Sequence, residues 1–488
     1  MNTLRRRDFL KSTALSAAAL VVPVRVWARA EGANNDIRVG VVGFGGRGQS
    51  HIDAFSKMSG ARVVALCDAD SKILERGVKR LADKGCTVQG YTDVRKMLES
   101  KAIDVVSTAT PNHWHSLVTV WACQADKDVY VEKPVSHNVF EGRKCVEAAR
   151  KYNRIVQTGT QSRSNEALRQ GIAWVQEGNL GKILVSRGLC YKRRPSIGKV
   201  DGPQPIPPEI DYDLWCGPAA KVPLTRKRLH YDWHWVWNTG NGDLGNQGIH
   251  QMDIARWALG KMELSPMVFS VGGRLGYVDD GETANTQMVV HNYGGTLLIF
   301  EVRGLPSRAP EANPDGGVKA ESMDKYRGQS VGHVIECEGG YLAGTVAYDK
   351  DHKEIKKFSG KSEDEGGHFG NFIKAVRSRK KEDLKADILE GHLSSALCHT
   401  GNISYRLGRE ADPDEIHEQL KKDTAALETL ARMQEHLAAN KVDLKKTRLA
   451  IGPVLRMDPA AEEFIDNPKA SALLSRDYRK PFVVPDKV

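Results

Sequence analysis

Three groups of residues have the types and spacing to do chemistry. The first is a glycine turn, Gly43-Phe44-Gly45-Gly46-Arg47-Gly48, with Asp68 placed 20 residues past Gly48. Gly43, Gly45 and Gly48 fit G-x-G-x-x-G, in which the glycines allow a tight turn, backbone approach to a pyrophosphate and close helix packing. The helix that follows offers free N–H groups and a partial positive charge to phosphates. A carboxylate at Asp68 suits the two ribose hydroxyls of an adenosine and repels a 2′-phosphate, so NAD is expected over NADP. The second group is Lys133, between Glu132 and Pro134. A partly desolvated ammonium there can hydrogen-bond a reacting hydroxyl and help its proton leave. The third is His250 with Asp253 three residues on, a spacing that puts both on one helix face. His250 can take a hydroxyl proton, and Asp253 can orient the imidazole or cap the helix.

These groups need elements to hold them. Residues 37–42 are a β-branched apolar run, read as a buried strand. Residues 49–58 read as a helix, and 63–67 as the next strand. Helices at 71–84, 93–100, 114–124 and 139–152 alternate with strands at 104–108, 128–131 and 155–158. Such alternation predicts a doubly wound parallel sheet over about residues 37–159. Ligands of such sheets bind at the carboxyl ends of the strands. Thr110-Pro111-Asn112-His113-Trp114-His115, Glu132-Lys133-Pro134 and Gly159-Thr160-Gln161-Ser162-Arg163 all follow strands.

The second half reads differently. A strand is expected at 183–190, then a Gly- and Pro-rich excursion at 196–209 that reaches over a cleft or a neighbouring subunit. Strand-like runs at 267–271, 286–291, 296–303, 333–338 and 341–348 predict a large, mostly antiparallel sheet. Trp233, Trp235 and Trp237 alternate, and share one face if extended; they read as core packing or as a stacking wall for a sugar ring. Tyr191-Lys192-Arg193-Arg194 can line the cleft or pair with acids at an interface, and is expected at the surface. The expected division is a leader at 1–30, a nucleotide-binding domain at 31–160, an α/β substrate and oligomerisation domain at 161–411, and a helical extension at 412–488.

Composition limits the function classes. Hydrophobic residues make up 40% and charged residues 27%, as in ordinary globular proteins. Half of the net charge of +10 sits in the first 30 residues, where six Arg and Lys stand against Asp8 alone. The rest is too dilute for a nucleic-acid footprint. Arg5-Arg6-Arg7-Asp8-Phe9-Leu10-Lys11 resembles a twin-arginine motif, and an apolar stretch at 14–24 and Ala28-Arg29-Ala30 complete an export signal. The chain is therefore expected outside the cytoplasm, with no stable membrane insertion. Eight dispersed cysteines without a C-x-x-C pair read as mostly buried free thiols. The pairs His113/His115 and His230/His234 lack an acid or cysteine at ligand spacing, so no metal is expected.

Taken together, Gly43-x-Gly45-x-x-Gly48, Thr110-Pro111-Asn112-x-x-His115, Glu132-Lys133-Pro134 and Gly248-x-His250-x-x-Asp253 resemble the Gfo/Idh/MocA oxidoreductases over about residues 37–409. The resemblance implies NAD(P) in an N-terminal Rossmann domain and a sugar, polyol or inositol-like substrate. It implies a catalytic Lys133 and a second domain often used to form homo-oligomers. Thr110, Pro111, Asn112 and His115 are then expected along the nicotinamide ribose, with Glu132 on that ribose or on a backbone amide. Gln161, Arg163, Asp253 and Trp235 are candidate substrate contacts. The family pattern has Asp four residues before the histidine; here that position is Asn246, which can hold a hydroxyl but cannot take a proton. Asp243 on the same loop is the alternative acid. Two reactions fit: oxidation of a sugar hydroxyl with tightly held NAD, or glycoside cleavage through transient oxidation to a keto sugar. A sugar-binding protein without activity is the third reading, and the presence of both Lys133 and His250 speaks against it.

Overall fold

The computed structural model describes residues 35–310, 322–362 and 364–488. The twin-arginine leader read at residues 1–30 lies outside them.

The first half forms a six-stranded parallel sheet. Its strands are β1 (Ile37–Val42), β2 (Ala61–Cys67), β3 (Gln89–Tyr91), β4 (Val105–Thr108), β5 (Asp128–Val131) and β6 (Val156–Thr158), in the order β3-β2-β1-β4-β5-β6. Parallel strands need cover on both faces. One face packs Val42, Val106 and Val129 against the helix Asn112–Gln124 through Leu117 and Val118. The other packs Val39 and Val41 against Phe44, Ile52 and Phe55. Chain order reverses between β1 and β4, and this switch point opens the crevice where such folds bind ligands. Strand β3 is an addition to the sequence reading; its three residues are too few and too polar to show a pattern.

The second half builds a twelve-stranded sheet. Its central strand β7 (Ile183–Tyr191) runs parallel to Leu297–Arg303 and antiparallel to Val331–Cys337; the other pairs are antiparallel. The run read as one strand at 341–348 is a hairpin of Gly340–Ala343 and Val346–Asp349. One sheet face packs Leu298, Phe300 and Val289 on the helices Gly248–Ala258 and Ile388–Arg406.

Residues 412–488 are not purely helical. Leu449–Ile451 and Leu455–Asp458 pair with Met267–Gly273 and extend the large sheet. The helix Thr424–Ala439 covers the other face, where Leu430, Met433 and Leu437 meet Val271, Met288 and Ile299. The chain then returns to the first half, where Phe482 packs against Trp114 at 5.5 Å between ring centres. No described helix is long and apolar enough to cross a membrane.

Candidate active site

The glycine turn leaves β1 and enters the helix Gly48–Lys57. Gly43 has φ +72°, and a Cβ there would lie 2.7 Å from the backbone of Thr110. A Cβ on Gly48 would lie 2.3 Å from the Gly43 carbonyl oxygen. Gly46 has nothing within 4 Å, so the turn is closed beneath and open above. No side chain caps the helix, which leaves its positive end free to face an anion. Asp68 closes the far side: it accepts from Phe44 N at 3.0 Å and Asp70 N at 3.1 Å. Burial raises its pKa, and the two N–H bonds oppose that rise.

These residues line a cleft of about 480 Å³. Gly43, Gly45, Gly46, Arg47, Asp68, Thr110, Pro111, Asn112, His115, Glu132, Lys133 and Asn246 all border it. Asn112 is buried, and its Oδ1 has no hydrogen-bond partner. An orphaned acceptor beside an open glycine turn and a ribose-spaced carboxylate fits a dinucleotide.

Glu132 is the hub on the nicotinamide side. Its Oε1 accepts from Arg47 Nε at 2.9 Å and Gln161 Nε2 at 3.2 Å, and lies 3.1 Å from His51 Nε2. Its Oε2 accepts from Lys133 N at 3.2 Å. Burial opposes its charge, yet the His51 hydrogen bond and the neighbouring cations hold its pKa well below the usual carboxylate range. Lys133 precedes a cis proline, and its Nζ donates to the Asn246 carbonyl at 2.9 Å. One amine of the first half thus rests on the loop of the second half that precedes His250. Burial is the main cause that lowers the Lys133 pKa; the charge of Glu132 opposes it. Asn246 and Gln247 line the cleft; His250, half-buried in the first turn of Gly248–Ala258, is not among its lining residues. Its pKa is pushed down to about 3, first by burial and then by the charge of Lys133.

Several expected contacts lie elsewhere. Arg163 and Asp253 form a buried ion pair at 2.8 Å, with Ser394 Oγ donating to Asp253 at 2.7 Å. They join the domains and do not face the cleft; Asp253 has no bond to His250. Gln161 holds Glu132 and the Tyr130 hydroxyl and is not a cleft wall. Trp235 is buried beneath the Arg194 guanidinium at 5.4 Å. The segment Asp232–Trp235 is a 3-10 helix, so the tryptophans do not share a strand face. Phe44 acts through its backbone N–H, because its ring is in the core. Both ring nitrogens of His115 face carbonyls, those of Pro134 at 2.6 Å and Thr110 at 2.8 Å, and none is left for a ligand. Asp243 is held by Arg194 through two bonds of 2.7 Å, which removes it as a replacement acid.

The sequence reading held a second bank of the cleft only as an alternative. Lys192, Arg194, Trp215, His230, Trp233 and His234 border it. Lys192 Nζ donates to Gln247 Oε1 at 2.8 Å, so of the basic run after β7 Lys192 and Arg194 take the cleft-lining alternative to the expected surface. The signal was available: cations directly after a long buried strand sit at a sheet edge. His230 Nε2 lies 3.1 Å from Asp70 Oδ2 and links this wall to the end of β2. The excursion at 196–209 contributes no lining residue and returns to the segment after β2, where Glu209 O accepts from Ser71 N at 2.9 Å. No cluster of three or more His, Cys, Asp or Glu is placed to hold a metal among the described residues.

Comparison with known proteins agrees with this geometry. Residues 37–160 match the Gfo/Idh/MocA model of an oxidoreductase family with an NAD-binding Rossmann fold. Residues 175–301 match the same family's C-terminal alpha/beta domain. A glycosyl hydrolase family 109 protein of Shewanella sp. (strain ANA-3) is 30% identical over 163 residues, 29% of this chain and 36% of that protein. A myo-inositol 2-dehydrogenase of Thermotoga maritima is 22% identical over 286 residues, 55% of this chain and 74% of that protein. The first of these matches spans only about a third of the relative's length. The solved WlbA dehydrogenase from Bordetella pertussis, in complex with NADH and UDP-GlcNAcA, shares the fold at a TM-score of 0.54 and 20% identity, over 74% of this chain and 94% of that one. With both domain models matched over more than half its length, the chain belongs to the Gfo/Idh/MocA oxidoreductase family.

Proposed function

We propose that the protein is an NAD-dependent oxidoreductase acting on a hydroxyl of a sugar, polyol or inositol-like substrate, with its nucleotide tightly held. The observation that carries this reading is Lys133, an amine from the first domain whose Nζ meets the loop before His250 at the head of the glycine-turn cleft. When bound, the nucleotide supplies a hydride acceptor and donor at its nicotinamide ring. Asp68 and the glycine turn bind its adenosine end, and Asn112 offers its unpartnered oxygen to the ribose. Lys133 donates a hydrogen bond to the reacting hydroxyl oxygen. His250 is neutral and takes the hydroxyl proton. Asn246 orients the hydroxyl through its amide. The leader supports export, and outside the cytoplasm a nucleotide lost on each turnover is not replaced; a retained nucleotide restored within each cycle meets that condition. We read the exported form as a homo-oligomer, which light scattering on the purified protein measures directly.

A second reading is favoured by the family 109 relatives: glycoside cleavage without net redox. A sugar oxidised to a keto sugar acidifies its neighbouring C–H, eliminates its aglycone, and is reduced again after water adds. One experiment separates the two. The protein is purified without added nucleotide and its absorbance and released nucleotide are recorded; sugars and aryl glycosides are then supplied. Net NADH growth with added NAD supports the dehydrogenase. Aglycone release without net NADH supports the glycosidase. Purified protein that carries no nucleotide and binds none contradicts both.

A further inference from the structure

A second cavity, of about 650 Å³, lies outside the glycine-turn cleft. Four segments enclose it: the stretch after cis-Pro134, residues 237–241, the end of the helix Ile388–Arg406, and residues 472–477. Its inner wall is polar and under-bonded. His137 Nε2, Asn241 Nδ2 and His399 Nδ1 are all buried atoms without a hydrogen-bond partner. Asn241 and His399 are themselves more than nine-tenths buried. Buried polar atoms are rarely left unmatched, and three on one wall mark a place where polar groups are missing.

The mouth is cationic. Arg476 binds only neutral partners: Asn238 O at 3.0 Å, Asn238 Oδ1 at 2.7 Å, and His137 Nδ1 at 3.2 Å. Arg406 has no ion pair among the described residues and lies over the Trp237 ring at 5.2 Å. Burial is the main cause that lowers the pKa of both guanidiniums; the charges of Glu282 near Arg406 and Glu141 near Arg476 oppose it, and neither forms an ion pair with them. The one carboxylate on the rim, Asp477, is exposed and pairs with neither.

We propose that this cavity is a second ligand site that takes a small polyhydroxylated anion, a sugar carboxylate or a sugar phosphate. Two guanidiniums at the mouth match one oxyanion. The indole face of Trp237 suits the apolar face of a pyranose ring. The unmatched amide and imidazole atoms of the inner wall match ring hydroxyls. Ser136 Oγ, in the segment that carries Lys133, lies 3.1 Å from Nε2 of the lining residue His399.

The test is calorimetric titration of the full chain, dialysed free of small molecules, with D-glucuronate, D-glucose 6-phosphate, D-glucose and inorganic phosphate, alongside tryptophan fluorescence. Saturable binding of glucuronate identifies the carboxylate source, and of glucose 6-phosphate the phosphate source. D-glucose is expected to bind at least about tenfold more weakly, the loss of one charge-assisted pair. Arg406→Gln, at the exposed mouth, and Trp237→Phe each weaken the acidic sugar about tenfold and leave NAD affinity unchanged. Lys192→Ala, in the other cleft, leaves the acidic-sugar affinity unchanged. Absence of saturable binding up to about 10 mM overturns the proposal. So does binding that neither mouth variant weakens, or inorganic phosphate binding as tightly as the sugar phosphate.

Discussion

Two buried carboxylates, Glu132 and Asp253, both stand in sequence motifs and both hold cations, yet they serve different ends. Glu132 borders the cleft and fixes Arg47, His51 and the backbone of Lys133. Asp253 is sealed between Arg163, Arg256 and Ser394 at the domain junction. Both are held below the usual carboxylate range: burial opposes each charge, and bonded neighbours overcome it. A carboxylate in a motif is therefore not by itself a ligand contact. What separates the two is whether an open volume touches the group.

That contrast can be broken most sharply at Lys133, which Glu132 positions. Lys133→Ala is expected to lower kcat by about 10²–10⁴-fold with unfolding behaviour little changed. Steady-state kinetics beside a thermal melt will decide it. Asp253→Asn is expected to do the reverse. It removes one of the two carboxylates that buried Arg163 and Arg256 share, leaving Glu390, a loss of about 1.5–3 kcal/mol in denaturant unfolding. Nucleotide binding by the folded fraction should persist. If Asp253→Asn instead abolishes substrate binding at unchanged stability, the division between the two hubs is wrong.

Acid titration sharpens the same comparison. The folded pKa values of Glu132 and Asp253 lie below their unfolded values, so each contributes stability that is present above pH ~4.5 and ~4 and is lost as pH falls toward the folded pKa. His250 acts over a higher window. Its folded pKa is about 3 against an ordinary 6.5, so the unfolded chain binds the proton first and stability declines as pH falls from about 6.5 toward 3. His250→Gln should lessen that slope in pH-dependent unfolding, which buried His113, His234, His291 and His399 share, and wild-type kcat should lack an imidazole step near pH 6.5. The smallest effect is expected at Lys192→Ala: a rise in substrate KM of about tenfold or less, with NAD affinity unchanged. A loss of NAD affinity there would move Lys192 to the cofactor side.

Legibility in the sequence followed local periodicity. The first sheet was readable because each strand is a short apolar run ending in a turn, and its motifs sit where those runs stop. The wall formed by Lys192, His230, Trp233 and His234 was readable only as an alternative, because a 3-10 helix and a long excursion bring it to the cleft from far along the chain. Arg163 and Asp253 looked like substrate contacts for the same reason in reverse: their partner, not their neighbours in sequence, decides their task. The extension at 412–488 read as helical because its strands are three or four residues long and form only by adding to an existing edge.

Phe482 gives that extension a further consequence. Its ring lies 5.5 Å from Trp114 on the helix that begins with Asn112, and Arg479 Nη1 donates to Asp213 Oδ1 at 2.8 Å beside Trp215. One late segment thus buttresses both banks of the crevice. During synthesis the glycine turn emerges early but stays without this brace until residue 482 has left the ribosome. The cleft is therefore fully braced only once this late segment has been made.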